Sequence, residues 1–278
     1  MPWFWEVFFE NLGFEVLLSP LTNKKIIEQG TKVADHETCF SVKVFEGHLL
    51  ELEDKVDYIF LPRIKSLRKG YQSCPRFLGI PDIAKFLVSN KILAPLIDLN
   101  KKSLKKTAFL IGRELKKSGR EINQAFEKAK KTKETLKEKE NQEYLKKIKS
   151  QRKKIVLISH PYNLADEYIN LRIEEKLKKL GLEIITIEKV PDNFLPKVLH
   201  WDFAQEMIEK TRKILKDCPK LSGAIEISAF QCGCDAVLRE YLEKEYKIKK
   251  IPFLQLIIDE HTGEAGLLTR LEAFADTL

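Results

Sequence analysis

Apolar residues recur along this chain with two alternating periods. Trp3–Leu12 repeats at helical spacing and stops at Gly13. Phe14–Leu18 reads as a strand ended by Ser19-Pro20, and Thr22 caps a helix that runs to about Ala34. In HETCFSVKVFEGHLLEL, Thr38 caps a helix whose first turn holds Cys39 and whose buried face is Val42, Phe45, Leu49 and Leu52. Val56–Leu61 is a strand halted by Pro62. A loop from Arg63 to Ser73 then leads to Cys74-Pro75. Pro81 introduces a helix over Asp82–Ser89, and Leu96–Leu99 is a further strand.

From Lys101 to about Gln151 the pattern is helical, with a thin apolar stripe and a break near Ser118-Gly119. Strand and helix signals then alternate again. Ile155–Ile158 is a strand followed by Ser159-His160-Pro161-Tyr162-Asn163, and a helix spans about Ala165 to Leu180. Glu183–Ile187 is a strand and Trp201–Leu215 a helix. In GAIEISAFQCGCDAV the run Ala224–Ile227 is a buried strand, and the chain breaks at Ser228-Ala229-Phe230. Cys232 and Cys234 follow around Gly233 at the start of the next helix. Phe253–Ile258 is the last strand. Its end carries Asp259-Glu260-His261, ahead of a helix from about Gly266.

Alternation of this kind predicts parallel sheets with right-handed crossovers. The expected fold class is α/β: two flavodoxin- or Rossmann-like lobes, 1–100 and 154–278, separated by a long charged helical insert at 101–153. In open α/β sheets ligands bind beyond the carboxyl ends of the strands. Pro62-Arg63, Ser159-His160, Gln231-Cys232 and Glu260-His261 all follow predicted strands there. With the lobes facing, Cys39 and Cys74 are expected to meet Cys232 and Cys234.

Charge changes this picture little. The net +8 is concentrated in the lysine-rich insert, but glutamates interleave with the lysines and no aromatic platform accompanies them. That reads as a solvated helix face and not as a nucleic-acid surface. No run of about 18 uncharged apolar residues exists, so no membrane span is expected. The apolar start carries Glu6 and Glu10 without a basic flank and does not read as a signal peptide, so a cytoplasmic location is expected.

Five cysteines, an odd number, argue against a disulfide framework and for metal or redox use. Thiols at a strand-to-helix turn meet the positive end of a helix dipole, which favours thiolate. An iron–sulfur cluster, structural zinc and thiol–disulfide exchange all remain open. Paired C-x-x-C knuckles are absent, and Cys232-Gly233-Cys234 closes only a strained ring. Cys218, in a helix-end turn, reads as an inert buried thiol.

ETCFSVKVFEGH, DYIFLPRI, CPRFLGIPD, SHPYN, WDFAQEMI, SAFQCGCDAV and PFLQLIIDEHTGEAGLLTRLEAF together resemble the family of activase-related proteins of acyl-CoA dehydratases. That family is akin to the cluster-bearing subunits of 2-hydroxyglutaryl-CoA dehydratase and benzoyl-CoA reductase. The resemblance implies a two-lobed protein with a [4Fe–4S] cluster ligated by Cys39, Cys74 and Cys232. Cys234 stands where the family has proline, and is either a fourth ligand or a bystander. Five cysteines speak against a double cubane. Such proteins begin with a strand and a Pro-Arg turn that this chain lacks, so the first sheet is expected to miss one strand or the start to be truncated.

The resemblance further implies an oxygen-sensitive electron-transfer protein. It would take a low-potential electron from a separate ATPase activator, for ATP-driven reduction or dehydration of an acyl-CoA thioester or similar substrate. A second cluster-bearing subunit or a homodimer is compatible with this. The chain has neither a G-x-x-x-x-G-K-[ST] loop nor a G-x-G-x-x-G turn. His261, with Glu260 beside it, is the candidate proton donor near the cluster. His160 reads as a loop anchor, His48 as a packing or hydrogen-bonding residue, and Arg270 as an ion-pair partner. The rival readings are a cluster-binding scaffold without turnover and a zinc-stabilised binding module.

Overall fold

The computed structural model describes residues 2–278. The first half runs α1 (Pro2–Asn11), α2 (Lys24–Val33), α3 (Phe40–Leu52), β1 (Tyr58–Phe60), β2 (Arg63–Ser66), α4 (Pro75–Leu87), β3 (Lys91–Leu93), β4 (Leu96–Asp98), α5 (Leu104–Glu114) and α6 (Gly119–Ile148). The second half runs β5 (Lys154–Ile158), α7 (Pro161–Ala165), α8 (Ile173–Lys179), β6 (Glu183–Thr186), α9 (Asp202–Asp217), β7 (Leu221–Ala229), α10 (Gly233–Ile248), β8 (Phe253–Ile258) and α11 (Glu264–Asp276). The chain divides into two compact units that interleave in sequence. One takes residues 1–20 and 49–140, and the other 21–48 and 141–278. This partition differs from a division at 100 and 153, because α2 and α3 belong with the C-terminal residues.

In the first unit β1 pairs with β3 and β2 with β4, all parallel. Leu61 N–H donates to Leu93 O and Arg63 N–H to Pro95 O, so the same two segments run together throughout. Pro62 and Pro95 lack an N–H and interrupt the ladder between its halves. The expected Rossmann-like first lobe is therefore corrected to one β-α-β crossover through α4. Phe14–Leu18, expected as a strand, joins no sheet. The segment Arg63–Ser66, expected as loop, is a strand. The predicted helix at Asp82–Ser89 starts earlier, at Pro75, with Pro81 inside it. Phe4, Trp5, Phe8 and Phe9 of α1 are buried, and Trp5 and Phe9 meet Phe60 at ring distances of 5.0 and 4.8 Å. The break between α5 and α6 is a capping box: Glu121 N–H donates to Ser118 Oγ, and Ser118 N–H donates to the Glu121 carboxylate.

The second unit holds a four-stranded parallel sheet in the order β6-β5-β7-β8. Its strands are apolar on both faces because both are covered. Ile155, Leu157, Ile225, Ile227 and Leu256 face Phe40 and Val44 of α3, Leu177 of α8 and Leu271 of α11. Val156, Ile158 and Ala224 face Ile208 of α9 and Leu238, Leu242 and Tyr246 of α10. The helix expected over Ala165–Leu180 forms only from Ile173 as α8, and the short α7 precedes it. Leu171 and Arg172 both adopt φ of 53°, a left-handed pair no α-helix accommodates. The Asn170 amide holds that turn by donating to Asn163 O and Leu164 O at 2.9 and 3.0 Å.

The placement of α3 depends on two glycines. A Cβ at Gly30 would lie 1.8 Å from Lys43 O, and one at Gly47 would lie 1.9 Å from Ile26 O. The α2 and α3 backbones thus cross in contact, which any side chain prevents. Gly47→Ala is expected to lower stability by roughly 2 kcal/mol or more, measured by denaturant unfolding. A variant as stable as the parent contradicts that crossing.

Candidate metal centre

The chain leaves β5 for β6 on one side and returns to β7 on the other, so β5 and β7 flank the switch point of the sheet. Their carboxyl ends are where an open parallel sheet leaves a crevice. Ser159 and His160 follow β5 directly, and the Ser159 hydroxyl donates to Ile227 O of the adjacent strand. After β7, Gln231 takes φ 63° and turns the chain so that Cys232 sits at the N-cap of α10. Asp235 lies in the first turn of that helix.

These turns bring three donors together. His160 Nε2 is 2.8 Å from Asp235 Oδ1, and the His160 nitrogen, Cys232 Sγ and an Asp235 oxygen all lie within 4.8 Å of one another. His160 is 5% and Asp235 3% exposed. The imidazole stacks on Tyr162 and meets the edge of Phe203, which fixes its plane. Glu226, on β7 and 2% exposed, adds a second buried carboxyl. Neither of its oxygens has a partner at hydrogen-bonding distance among the described residues. The amide of Gln255, its register partner on β8, compensates only in part. Burial, then the Asp235 charge, push the Glu226 carboxyl up to about 8.

Of the expected thiol ligands, Cys39 immediately precedes α3 and its carbonyl accepts from the Val42 and Lys43 amides. Phe40 N–H donates to Phe230 O, which ties Cys39 to the turn that carries Cys232. Cys39 is near enough to add to the upward push on the Cys232 thiol. Cys74 belongs to the first unit, where it caps α4 and its Sγ accepts from Phe77 N–H at 3.4 Å. Cys234 is the second residue of α10 and lies outside the His160–Cys232–Asp235 group. Cys218 is buried, as expected. The helix-dipole expectation for Cys232 is corrected: burial and the Asp235 carboxylate outweigh the helix terminus and raise its thiol above the usual range.

Glu260 forms an ion pair with Lys43 at 2.8 Å. Burial disfavours its charge, but the Lys43 ammonium outweighs this and holds the carboxyl below its usual range. His261 is exposed, and its backbone N–H donates to Asp259 Oδ1. Arg270 donates to Gln255 O, and no acid pairs with it among the described residues. His48 Nε2 meets Thr22 Oγ1 at 2.8 Å. The residues that sequence reasoning passed over are Asp235, Glu226 and the grouping of His160 with Cys232. The available signal was position: His160 follows β5 directly, and Asp235 opens the helix after β7.

The family described as "CoA enzyme activase uncharacterised domain" has a model that matches residues 1–190. No curated protein matches the chain.

Two outcomes follow for the metal-free protein. Glu226 is neutral when folded and ionised when unfolded between about 4.5 and 8. The stability it contributes is complete below the lower value and is lost as pH rises through the upper one. Denaturant unfolding across that range is expected to show a loss on the order of a few kcal/mol that Glu226→Gln removes. Equal slopes in parent and variant contradict the assignment. Asp235→Asn is expected to speed alkylation of Cys232 at neutral pH on the order of tenfold, followed by peptide mass spectrometry. An unchanged rate contradicts the Asp235 effect.

Proposed function

The chain belongs to the CoA enzyme activase-related family, and on that premise we propose that it is an electron-transfer component of a CoA-dependent enzyme system. In this reading it holds a [4Fe–4S] cluster and accepts a low-potential electron from a separate ATPase activator. The electron serves ATP-driven reduction or dehydration of an acyl-CoA or similar thioester. The observation that carries the reading is the placement of Cys39 beside the Cys232 turn, through the Phe40–Phe230 hydrogen bond. Two thiols from distant stretches at one partly buried strand edge fit a thiolate-ligated cluster, which takes its ligands from separated segments. When bound, the cluster supplies a one-electron centre. Cys39 and Cys232 would hold it, and the burial around Cys232 would lower its potential. A cytoplasmic location and oxygen sensitivity belong to the same reading.

The test is anaerobic reconstitution with iron and sulfide, followed by metal and acid-labile sulfide analysis and electron paramagnetic resonance of the reduced protein. The parent is expected to take up both, and Cys39→Ser and Cys232→Ser each to lose most of the cluster. Cys218→Ala is expected to retain it. A parent protein that stays colourless and free of iron and sulfide overturns the reading. A cluster that the activator and ATP leave oxidised supports a scaffold in its place.

A further inference from the structure

The His160–Cys232–Asp235 triangle has a geometry of its own. A four-coordinate zinc-class ion binds nitrogen and oxygen at about 2.0–2.2 Å and sulfur at about 2.3 Å, which places its donors roughly 3.3–3.8 Å apart. The three donor atoms here lie within 4.8 Å of one another, with the nitrogen and one oxygen at 2.8 Å. The 2.8 Å contact is a hydrogen bond, shorter than that spacing, so an ion entering between these donors replaces it. A four-iron cluster takes one protein ligand per iron, spread around the cube, and a histidine and a carboxylate in hydrogen-bonding contact do not suit separate corners.

Charge points the same way. Asp235 Oδ2 is buried without a hydrogen-bond partner among the described residues. Two carboxyl groups and a thiol share this edge. Arg239 is the cation that acts on Glu226, and Lys43 is engaged by Glu260. A buried carboxylate left this way is stabilised by coordinating or lying beside a cation. All of these residues belong to the second unit.

We propose that His160, Cys232 and Asp235 form a site for a single divalent first-row transition-metal ion of the zinc class, each giving one donor atom. Sulfur, nitrogen and oxygen together suit zinc or cobalt better than magnesium or calcium, which take oxygen alone. Three protein ligands leave a fourth position for water or a ligand oxygen. The site goes beyond the electron-transfer reading and shares Cys232 with it, so a lone ion and a cluster exclude one another there.

The experiment is titration of metal-free, thiol-reduced full-length protein with Co2+ alone, under anaerobic conditions. One equivalent is expected to bind, with a thiolate-to-cobalt charge-transfer band that disappears in Cys232→Ser. Affinity is expected to fall by about tenfold or more in His160→Gln and in Asp235→Asn, and to hold in Cys218→Ala. A Co2+-dependent rise in melting temperature, present in the parent and lost in those variants, reports the same site independently of the absorbance. Absence of stoichiometric binding overturns the proposal, as does a band and affinity unchanged in both His160→Gln and Asp235→Asn. Iron–sulfide reconstitution of the same samples keeps the two ideas apart: cobalt binding without cluster formation overturns only the electron-transfer reading, and the converse overturns only this one.

Discussion

The first turn of α3 is the constraint on which the second unit depends. Phe40 N–H donates to Phe230 O after β7, Ser41 Oγ donates to Asn163 Oδ1 after β5, and Lys43 pairs with Glu260 after β8. One helical turn therefore ties together the loops beyond three of the four strands. Phe40 and Val44 at the same time cover one face of the sheet. The Lys43–Glu260 pair is largely buried, with Lys43 7% exposed, so loss of either partner would strand a charge. The glycine crossing of α2 and α3 holds the turn at the required depth.

The electrostatics of the strand edge follow from that packing. Burial lifts the Cys232 thiol and the Glu226 carboxyl, and Asp235 reinforces both effects. The positive end of α10 does not reverse this, because the field of a helix terminus is smaller than the cost of desolvating a buried anion. At neutral pH the thiol and the Glu226 carboxyl therefore keep their protons.

Much of the second unit was legible from hydrophobic period alone. The strands at 155–158, 183–187 and 253–258 and the Cys232 turn were placed by runs of apolar residues ending in polar ones. The charged hairpin broke where Ser118 and Glu121 supply a capping box. Less was legible in the first unit, where strands of three and four residues carry too little pattern and Pro62 and Pro95 divide a single pairing. The late start of α8 was hidden because side-chain bonds from Asn170 enforce the turn before it. In the candidate site the cysteines drew attention by type. Asp235 and Glu226 did not, since their burial and pairing arise only when β5, β7 and α10 come together.

The most direct measurement is an anomalous-scattering map from crystals of the metal-loaded protein. The account predicts a metal peak bonded to Cys232 Sγ between the ends of β5 and β7. A fully occupied peak elsewhere, with Cys232 unligated, contradicts it.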